Sequence, residues 1–312
     1  MNNQAHLERL QSEIMPTQLI VDASLLTARM AYATELSPVF LKGEETDMNG
    51  VSGFIEEIEA IRELVPSIVQ VHVAWEGGGR KMRRAIHPEY KAQRDKPSKG
   101  SEYMASRVFP AKDLLRNRVL PLTPYHQYES VDWEGDDAMG TLARVYADRG
   151  VRSLILTNDH DLLQLLNSDL ISILQCKRSK WVAMTEDRFV QEYEITPPLL
   201  IDVKALAGDA SDNYAGVPRV GDKTAIKFVK EHGSLEGVIE SAKRTGLVLG
   251  KEKWGQAVLD SIEACWVGQA LATIRTDTEL KRISKPPRSF ERFDEMMTHL
   301  KLYHLKGIYD GR

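Results

Sequence analysis

Three apolar segments of this chain each run into an acidic residue, which constrains the fold more than any other feature. The segments are rich in β-branched and aromatic residues, as buried strands are. They are 18–21 followed by Asp22, 67–75 followed by Glu76, and 153–157 followed by Asp159. Ligand sites of open α/β sheets gather at the carboxyl ends of parallel strands. We therefore expect one parallel sheet with these acids along a single edge.

Helical periodicity separates the predicted strands. Apolar residues recur at helical spacing over residues 51–64, and Leu142, Val145 and Tyr146 share one stripe of a second predicted helix over 136–146. Strands that alternate with helices indicate the α/β class with a mostly parallel sheet. From about residue 197 onward the pattern becomes helical.

Acidic residues accumulate at five places where the chain is expected to turn. So many carboxylates in one region would repel one another unless cations bind between them. Their hard oxygen atoms suit Mg²⁺ or Mn²⁺, and two such ions are a recurrent arrangement for phosphodiester hydrolysis. The acids are Asp22, Glu76, Glu134, Asp136, Asp137, Asp159, Asp161, Asp209 and Asp212. The residues by themselves favour a metal-dependent nuclease.

Glu134, Asp136 and Asp137 lie around the predicted start of the second helix. The unpaired N–H groups and the dipole of a helix start tolerate negative charge, so one of the three is expected to act as a cap. Three carboxylates are more than a cap requires, which leaves the others for metal binding.

Charge is distributed unevenly along the chain. Residues 80–118 contain 12 Lys or Arg against 4 Asp or Glu, so this segment carries +8 and the rest of the chain −12, for a net charge of −4. A concentrated positive charge is the usual footprint of phosphate-backbone binding. The sequence therefore predicts a basic nucleic-acid contact beside an acidic pocket.

Composition excludes several other classes. Residues 1–16 form a polar leader without the apolar run of a signal peptide, and no stretch is long enough to span a bilayer, so a cytoplasmic protein is expected. Cys176 and Cys265 are too few for a disulfide framework or a zinc site.

A glycine-bearing turn at residues 216–221 is followed by a predicted helix start, the pattern of a helix-hairpin-helix. Glycines let the backbone approach a partner closely, and the helix start offers N–H groups to phosphate. Such a motif contacts the nucleic-acid backbone and not the bases. The candidate DNA-binding residues here are Gly216, Val217, Gly221, Lys223, Thr224 and Lys227.

Five motifs, taken in order, resemble those of the 5′ nuclease family, which includes flap endonucleases, the 5′ nuclease domains of bacterial DNA polymerases and phage 5′ to 3′ exonucleases. The resemblance covers roughly residues 17–232. The motifs are IVDAS with Asp22, AWEGG with Glu76 followed by HPEYKAQR at 87–94, WEGDDAMGTLA at 133–143, LTNDHDLLQLL at 156–166, and LAGDASDNYAGVPRVGDKTA at 206–225.

The resemblance implies roles for individual residues. It implies a first metal position at Asp22, Glu76, Glu134 and Asp136 with Asp137 beside them, and a second at Asp159, Asp161, Asp209 and Asp212. It implies that Lys91 and Arg94 act at the scissile phosphate and that Tyr90, which would meet a base, and Arg84 contact DNA. The implied cofactors are two Mg²⁺ ions, which Mn²⁺ can replace, and a K⁺ at the hairpin. Glu76 departs from the usual aspartate by one methylene.

The implied architecture is a PIN-like core over residues 17–196, with a basic arch at 80–118, and a helical subdomain with the hairpin over 197–312. The implied activity is structure-specific 5′ nuclease action, as exonuclease or flap endonuclease, in replication or recombination. We expect a monomer that acts on flap, nicked or 5′-ended duplex DNA, and on RNA primers. Two alternatives are a PIN-like ribonuclease and a catalytically weak protein that binds branched DNA.

Overall fold

The computed structural model describes residues 15–33, 38–41, 44–95, 99–168, 170–177 and 180–310. Most of the predicted leader, residues 1–14, lies outside the described residues, as does Lys96 of the basic segment. The strands are β1 Thr17–Asp22, β2 Pro38–Leu41, β3 Glu44–Asp47, β4 Ile68–Trp75, β5 His126–Ser130, β6 Arg152–Leu156, β7 Ile171–Lys177, β8 Lys180–Met184, β9 Gly208–Asp209, β10 Tyr214–Ala215 and β11 Leu280–Ser284.

The α-helices are α1 Ala23–Ala33, α2 Asn49–Leu64, α3 Lys81–Ile86, α4 Lys99–Tyr103, α5 Phe109–Leu114, α6 Gly135–Ala147, α7 Glu186–Tyr193, α8 Leu200–Ala207, α9 Asp222–His232, α10 Leu235–Thr245, α11 Glu252–Leu259, α12 Ile262–Ala272 and α13 Glu291–His299. The 3₁₀ turns are Ala92–Asp95, Leu120–Leu122, Asp161–Leu165, Pro197–Leu199 and Tyr303–Leu305, and π-helical turns at Met104–Val108 and Leu115–Val119 continue α4 and α5. None of the described helices is both long and apolar enough to cross a bilayer.

A seven-stranded sheet in the order β11-β5-β4-β1-β6-β7-β8 forms the centre of the molecule. The five inner strands are parallel, and β11 and β8 add an antiparallel strand at each edge. The predicted α/β class with a mostly parallel sheet is therefore confirmed. The strands predicted from residues 18, 67 and 153 onward correspond to β1, β4 and β6, and the two predicted helices correspond to α2 and α6.

Strand β1 is buried on both faces, which explains its unbroken apolar run. Leu19 and Val21 are 0% exposed and pack in one hydrophobic cluster with Phe54 of α2. Ile20 points to the opposite face, into a second cluster that contains Ala138 of α6. Alternation along the strand thus supplies both layers of the core. The sheet is fixed firmly enough to hold side chains at the ends of its strands.

The end of the chain returns to this core. Strand β11 pairs antiparallel with β5, and Phe293 and Met297 of α13 are fully buried in the same cluster as Leu19. Residues 280–310, which the sequence places in the helical subdomain of 197–312, thus complete the sheet and its apolar layer. Strand β11 is short and charged, so its sequence carries almost no strand signal.

A buried histidine makes the fold sensitive to acid. His72 on β4 is 1% exposed and its Nε2 contacts Gln18 Oε1 (2.9 Å) and the Tyr146 hydroxyl (3.1 Å). Burial, followed by the charges of His126 and Arg282, lowers the pKa of His72 to about 3. The folded protein therefore keeps this ring neutral, while the unfolded chain protonates it below its ordinary pKa of about 6.5.

We expect the stability that His72 contributes above pH 6.5 to be lost as the pH falls toward 3, by about 1.4 kcal/mol per pH unit. Urea unfolding at pH 7, 6 and 5 measures this loss. The variant His72→Gln keeps a polar side chain that does not titrate, so its free energy of unfolding should fall less steeply with acid than that of the wild type. Equal slopes for the two proteins would contradict the assignment.

Candidate active site

The carboxyl edge of the sheet brings three acids together. Asp22 ends β1, Glu76 follows β4 and Asp159 follows β6, and these are adjacent parallel strands. Asp22 Oδ1 accepts a hydrogen bond from the Leu25 amide (2.9 Å), and its Oδ2 accepts one from the Thr157 hydroxyl (3.1 Å). The loops after all three strands therefore position carboxylates at one place, as the sequence predicts.

Helix α6 begins at this edge and adds Asp136. Burial raises the pKa of Asp136 well above its ordinary range, and the negative charges of Asp159 and Asp22 raise it further. Burial likewise raises the pKa of Asp22 to about 6, with smaller contributions from Asp159 and Glu76. The four carboxyl groups thus act on one another electrostatically and form the first acidic cluster.

Asp137 has a structural role in this arrangement. It is fully buried, and its Oδ2 accepts a hydrogen bond from the Glu134 amide (3.0 Å), so Asp137 and the N-cap residue Glu134 form the capping box of α6. Its two oxygens also accept from Arg83 (2.6 and 2.9 Å), and Oδ1 accepts from the Arg275 amide (2.8 Å). Both oxygens of Asp137 are thus occupied by protein donors away from solvent, and its predicted place beside the metal stays a prediction.

Arg83, the buried partner of Asp137, was not predicted from the sequence as a site residue. Its side chain is 3% exposed, and besides Asp137 it contacts Glu134 Oε2 (3.1 Å). It also donates to the carbonyls of Leu271 (3.0 Å) and Thr273 (3.1 Å) at the end of α12. Arg83 therefore connects α3, the start of α6 and the helical subdomain through one guanidinium group. Among the twelve basic residues of segment 80–118, no sequence pattern distinguishes Arg83 as a buried one.

Tyr90 does not lie where a base could stack on it. It is 2% exposed, and its hydroxyl donates to Glu134 Oε2 (2.9 Å) and Asp212 Oδ2 (3.0 Å). Burial, followed by the charge of Glu134, raises the pKa of Tyr90 above its ordinary range, which keeps the hydroxyl protonated as a donor. The predicted contact of this ring with a base is therefore wrong in this arrangement. Tyr90 instead holds two carboxylates together.

Lys91 and Arg94 reach the acids from the same segment. Lys91 Nζ donates to Glu134 Oε1 (2.8 Å) and lies 3.6 Å from Asp212 Oδ2. Arg94 Nη2 donates to Asp212 Oδ1 (3.1 Å), and its side chain remains 47% exposed. Arg84 lies outside this group, since it bonds the Tyr90 carbonyl (3.1 Å) and Asp95. The predicted catalytic cations are thus adjacent to predicted metal ligands.

A second acidic cluster already contains a cation of the protein. Lys204 Nζ on α8 lies 2.8 Å from Asp161 Oδ1 and 2.8 Å from Asp209 Oδ2. Burial alone would lower the pKa of Lys204, but the two carboxylates raise it above its ordinary range. Hydrogen bonds from Lys204 and Ser211 in turn lower the pKa of Asp209 to about 2, against the opposing effect of burial. The sequence signal for Lys204 is a single lysine within the otherwise apolar turns of α8.

The donor set of the first cluster fits a hard divalent cation. This set supplies only carboxylate oxygens, from Asp22, Asp136 and Asp159. The negative charge of one group makes ionisation of its neighbours less favourable. A divalent cation would relieve that repulsion. Within the described ranges, no three carboxylate, imidazole or thiol side chains already converge closely enough to hold an ion.

Only some of the predicted DNA-binding residues of the hairpin are exposed. Lys223 and Lys227 of α9 are exposed, and a Cβ at Gly221 would meet nothing, so this turn is open to a partner. Val217, in contrast, is 2% exposed and belongs to the core. A Cβ at Gly216 would lie 2.3 Å from the Gly208 amide nitrogen, so the close approach that this glycine allows is internal. The side chain of Val217 is therefore not available at the surface, and Gly216 is partly exposed beside it.

Comparison with known proteins identifies two domain models over most of the chain. The N-terminal, resolvase-like domain of a 5′-3′ exonuclease matches residues 17–194, and the C-terminal SAM fold of a 5′-3′ exonuclease matches residues 195–291. The 5′-3′ exonuclease of Bacillus subtilis is 29% identical over 293 residues, which cover 93% of this chain and 94% of that protein. DNA polymerase I of Streptococcus pneumoniae is 32% identical over 261 residues, 83% of this chain but only 28% of the polymerase.

Solved structures share the fold at lower identity. T5 5′-exonuclease with bound zinc ions superposes with a TM-score of 0.68 at 19% identity, over 83% of this chain and 90% of that one. The catalytic core of Rad2 in complex with DNA gives 0.56 at 14% identity, over 95% and 88% of the two chains. At these identities the likeness concerns the fold alone.

Proposed function

Because this chain belongs to the 5′-3′ exonuclease family and is therefore a hydrolytic nuclease, we propose that it cleaves phosphodiesters at 5′ ends and 5′ flaps of duplex DNA. The observation that carries the proposal is the meeting of Asp22, Asp136 and Asp159 at one sheet edge with Lys91 beside them. Four parts of the chain that are distant in sequence converge there. The product would carry a 5′ phosphate.

The proposed cofactor is Mg²⁺, or Mn²⁺ in its place. Asp22, Glu76, Glu134 and Asp136 would hold one ion, and Asp159, Asp161, Asp209 and Asp212 a second. A divalent cation bound there supplies Lewis-acid stabilisation of charge at the phosphate. The second position requires Lys204 to leave the two carboxylates that it bridges. The divalent ions in the T5 5′-exonuclease structure support a metal-dependent reaction here.

The chain's own cations complete the proposed site. Lys91 and Arg94 are paired with Glu134 and Asp212. When cations neutralise these carboxylates, both side chains become available to the scissile phosphate. Positive groups at that position offset the negative charge that develops in the transition state. Lys91 is proposed to have the larger role at the scissile phosphate, because it is more buried than Arg94.

The binding of a divalent ion should depend on pH, since Asp22 must first lose its proton. The pKa of Asp22 is raised to about 6, so the metal-free protein is protonated there in mild acid. We expect Mn²⁺ affinity, measured by electron paramagnetic resonance without DNA, to fall by roughly tenfold or more per pH unit below 6, because the pKa of Asp136 is raised as well. Asp22→Asn should bind Mn²⁺ more weakly and show a shallower dependence on pH. An affinity that stays constant from pH 5 to pH 8 would contradict the assignment.

The hairpin is proposed to hold the duplex backbone, with a K⁺ ion at its turn, while the basic segment at 80–118 guides the 5′ strand. We expect the double variant Lys223→Ala/Lys227→Ala to bind flap DNA more weakly and to flatten the slope of log affinity against log salt by about one unit per lost phosphate contact. The control Lys306→Ala removes an exposed lysine of the C-terminal segment and should leave the slope unchanged. If the double variant keeps the wild-type slope, the hairpin does not contact phosphates.

Relatives among bacterial DNA polymerases I support a role in replication, in which 5′ strands, flaps or RNA primers are removed. The DNA in the Rad2 complex supports DNA as the partner. We extend the proposal to the domain division, with a nuclease core of residues 17–196 and 280–310 and a hairpin subdomain between them. A monomer in the cytoplasm is part of the same proposal.

One digestion experiment tests the activity. Labelled 5′-flap, nicked, blunt and RNA-primed duplexes, together with single-stranded RNA, are incubated with the protein in Mg²⁺ and in EDTA. We expect Mg²⁺-dependent cleavage of the duplexes that contain a 5′ end or flap. Cleavage of single-stranded RNA alone would instead establish a PIN-like ribonuclease, and binding of branched DNA without any cleavage would establish a DNA-binding protein.

A further inference from the structure

The segment that carries Lys91 is docked on the loop at residues 209–213. The Lys91 amide donates to the carbonyl of Asp212 (3.0 Å), and Gln93 Nε2 donates to the carbonyl of Ser211 (2.6 Å). The acceptors are backbone groups, so these contacts do not require any side chain to be ionised. These contacts therefore hold the segment independently of the ion pairs that Lys91 and Arg94 make with Glu134 and Asp212.

Asn213 makes the remaining contacts of this docking. Its Nδ2 donates to the carbonyl of Glu89 (2.7 Å), and its own carbonyl accepts a hydrogen bond from His87 Nε2 (3.0 Å). Asn213 has a φ of 63°, in the left-handed region that asparagine tolerates better than most residues. Asparagine thus combines the backbone conformation with the side-chain donor that this position needs.

The backbone of Lys91 needs such support. Its φ is 53°, also left-handed, which is unfavourable for lysine and persists only where surrounding contacts enforce it. Those contacts come from Asp212 on one side and from the carbonyl of Glu89, held by Asn213, on the other. If they are lost, we expect the backbone to relax and the ammonium to leave Glu134.

The same loop leads directly into the hairpin. Two residues, forming β10, separate Asn213 from Gly216, and β10 pairs with β9. The backbones of Gly208 and Gly216 approach so closely that a Cβ on either would collide with the other. The Val217 amide also donates to the carbonyl of Leu206 (2.8 Å). The hairpin turn and Asn213 are therefore joined by backbone contacts.

We propose that Asn213 is a positioning residue, which transmits the hold of the hairpin on duplex DNA to the backbone of Lys91. The inference rests on the proposed function, since Lys91 is placed there at the scissile phosphate. It assigns to Asn213 no contact with substrate. Its effect on cleavage must therefore pass through Lys91.

The test compares Asn213→Gly, which keeps the left-handed backbone but lacks the amide, with Asn213→Asp, which keeps the shape but lacks the donor. Single-turnover cleavage of flap DNA is measured in Mg²⁺, and the dissociation constant in Ca²⁺. Both variants should lower the rate about tenfold, the effect of one lost hydrogen bond, and leave the dissociation constant unchanged within about twofold. Lys301→Gly, another exposed left-handed position, is the control and should match the wild type.

A double-mutant cycle separates positioning from general damage. In a Lys91→Ala background, Asn213→Gly should cause no further loss of rate, because the residue through which it acts is gone. Losses that multiply in the double variant would overturn the proposal. So would a dissociation constant that rises in step with the fall in rate, since that pattern would make Asn213 a binding residue.

A readout that does not depend on cleavage distinguishes this inference from the proposed function. Lys91 is 7% exposed, so acetylation by an N-hydroxysuccinimide ester in EDTA should be slow at Lys91 and fast at exposed Lys306. Asn213→Gly should accelerate labelling of Lys91 alone, and unchanged labelling would overturn the inference. A wild-type protein that cleaves no DNA would refute the proposed function, while the labelling would still decide the role of Asn213.

Discussion

Asp136→Asn is expected to abolish cleavage while leaving the fold intact or more stable. The amide has nearly the shape of the carboxylate but lacks the charge on which a divalent ion at the first acidic cluster depends. Single-turnover cleavage of flap DNA in Mg²⁺ should fall by roughly a thousandfold, as when a strong electrostatic contact to the transition state is removed. Stability should not fall, because burial and two neighbouring acids already disfavour the charged form of Asp136.

Thermal unfolding in EDTA at pH 8 measures whether Asp136→Asn is at least as stable as the wild type. The matched control is Asp148→Asn, the same substitution at the other end of α6, where Asp148 is 56% exposed and pairs with Arg144. This control should cleave at the wild-type rate. If Asp136→Asn retained more than about a tenth of the wild-type rate, the carboxylate would be unnecessary and the metal assignment would fail.

Arg83→Met is expected to be the most destabilising single change in the site. Methionine leaves the carboxylate of Asp137, which is 0% exposed, without its guanidinium partner, and removal of one member of a buried ion pair typically costs about 3–5 kcal/mol. Arg83→Lys keeps the charge but cannot reach Asp137, Glu134 and two carbonyls at once, so its loss should be intermediate. Urea unfolding at pH 7.5 measures both.

The double variant Arg83→Met/Asp137→Asn tests the reason for this loss. Removing both charges eliminates the unpaired buried carboxylate, so the double variant should be more stable than Arg83→Met alone. A double variant that is less stable than Arg83→Met would show that the hydrogen bonds which Asp137 accepts from the Glu134 and Arg275 amides outweigh the cost of leaving its charge unpaired.

The sequence was sufficient for those parts of the fold that depend on periodicity. Strands β1 and β6, and β4 over its last five residues, are buried on both faces because apolar layers cover both sides of the sheet, and their acids mark the ends. Strand β11 was not predicted because it lies at an edge of the sheet. An edge strand pairs with only one other strand and tolerates polar residues.

The sequence predicted which residues lie near the site but not the direction in which their side chains point. Motif spacing located Tyr90, Asp137 and Val217 near the acids or the hairpin, yet each side chain turns inward to a hydrogen-bond or apolar partner. Arg83 and Lys204 could not be selected from sequence, because their importance arises from burial beside carboxylates that are 51 or more residues away or on another element. Burial depends on tertiary contacts that no local pattern records.

The return of the C-terminal residues to the sheet has a consequence for synthesis. A ribosome makes the hairpin subdomain before it makes β11 and α13, so a nascent chain carries an open edge at β5 and an uncovered apolar layer beside β1 until about residue 299 has emerged. Exposed edges and apolar surface are where incomplete chains associate wrongly. The segment that completes this core is thus translated only after the whole hairpin subdomain.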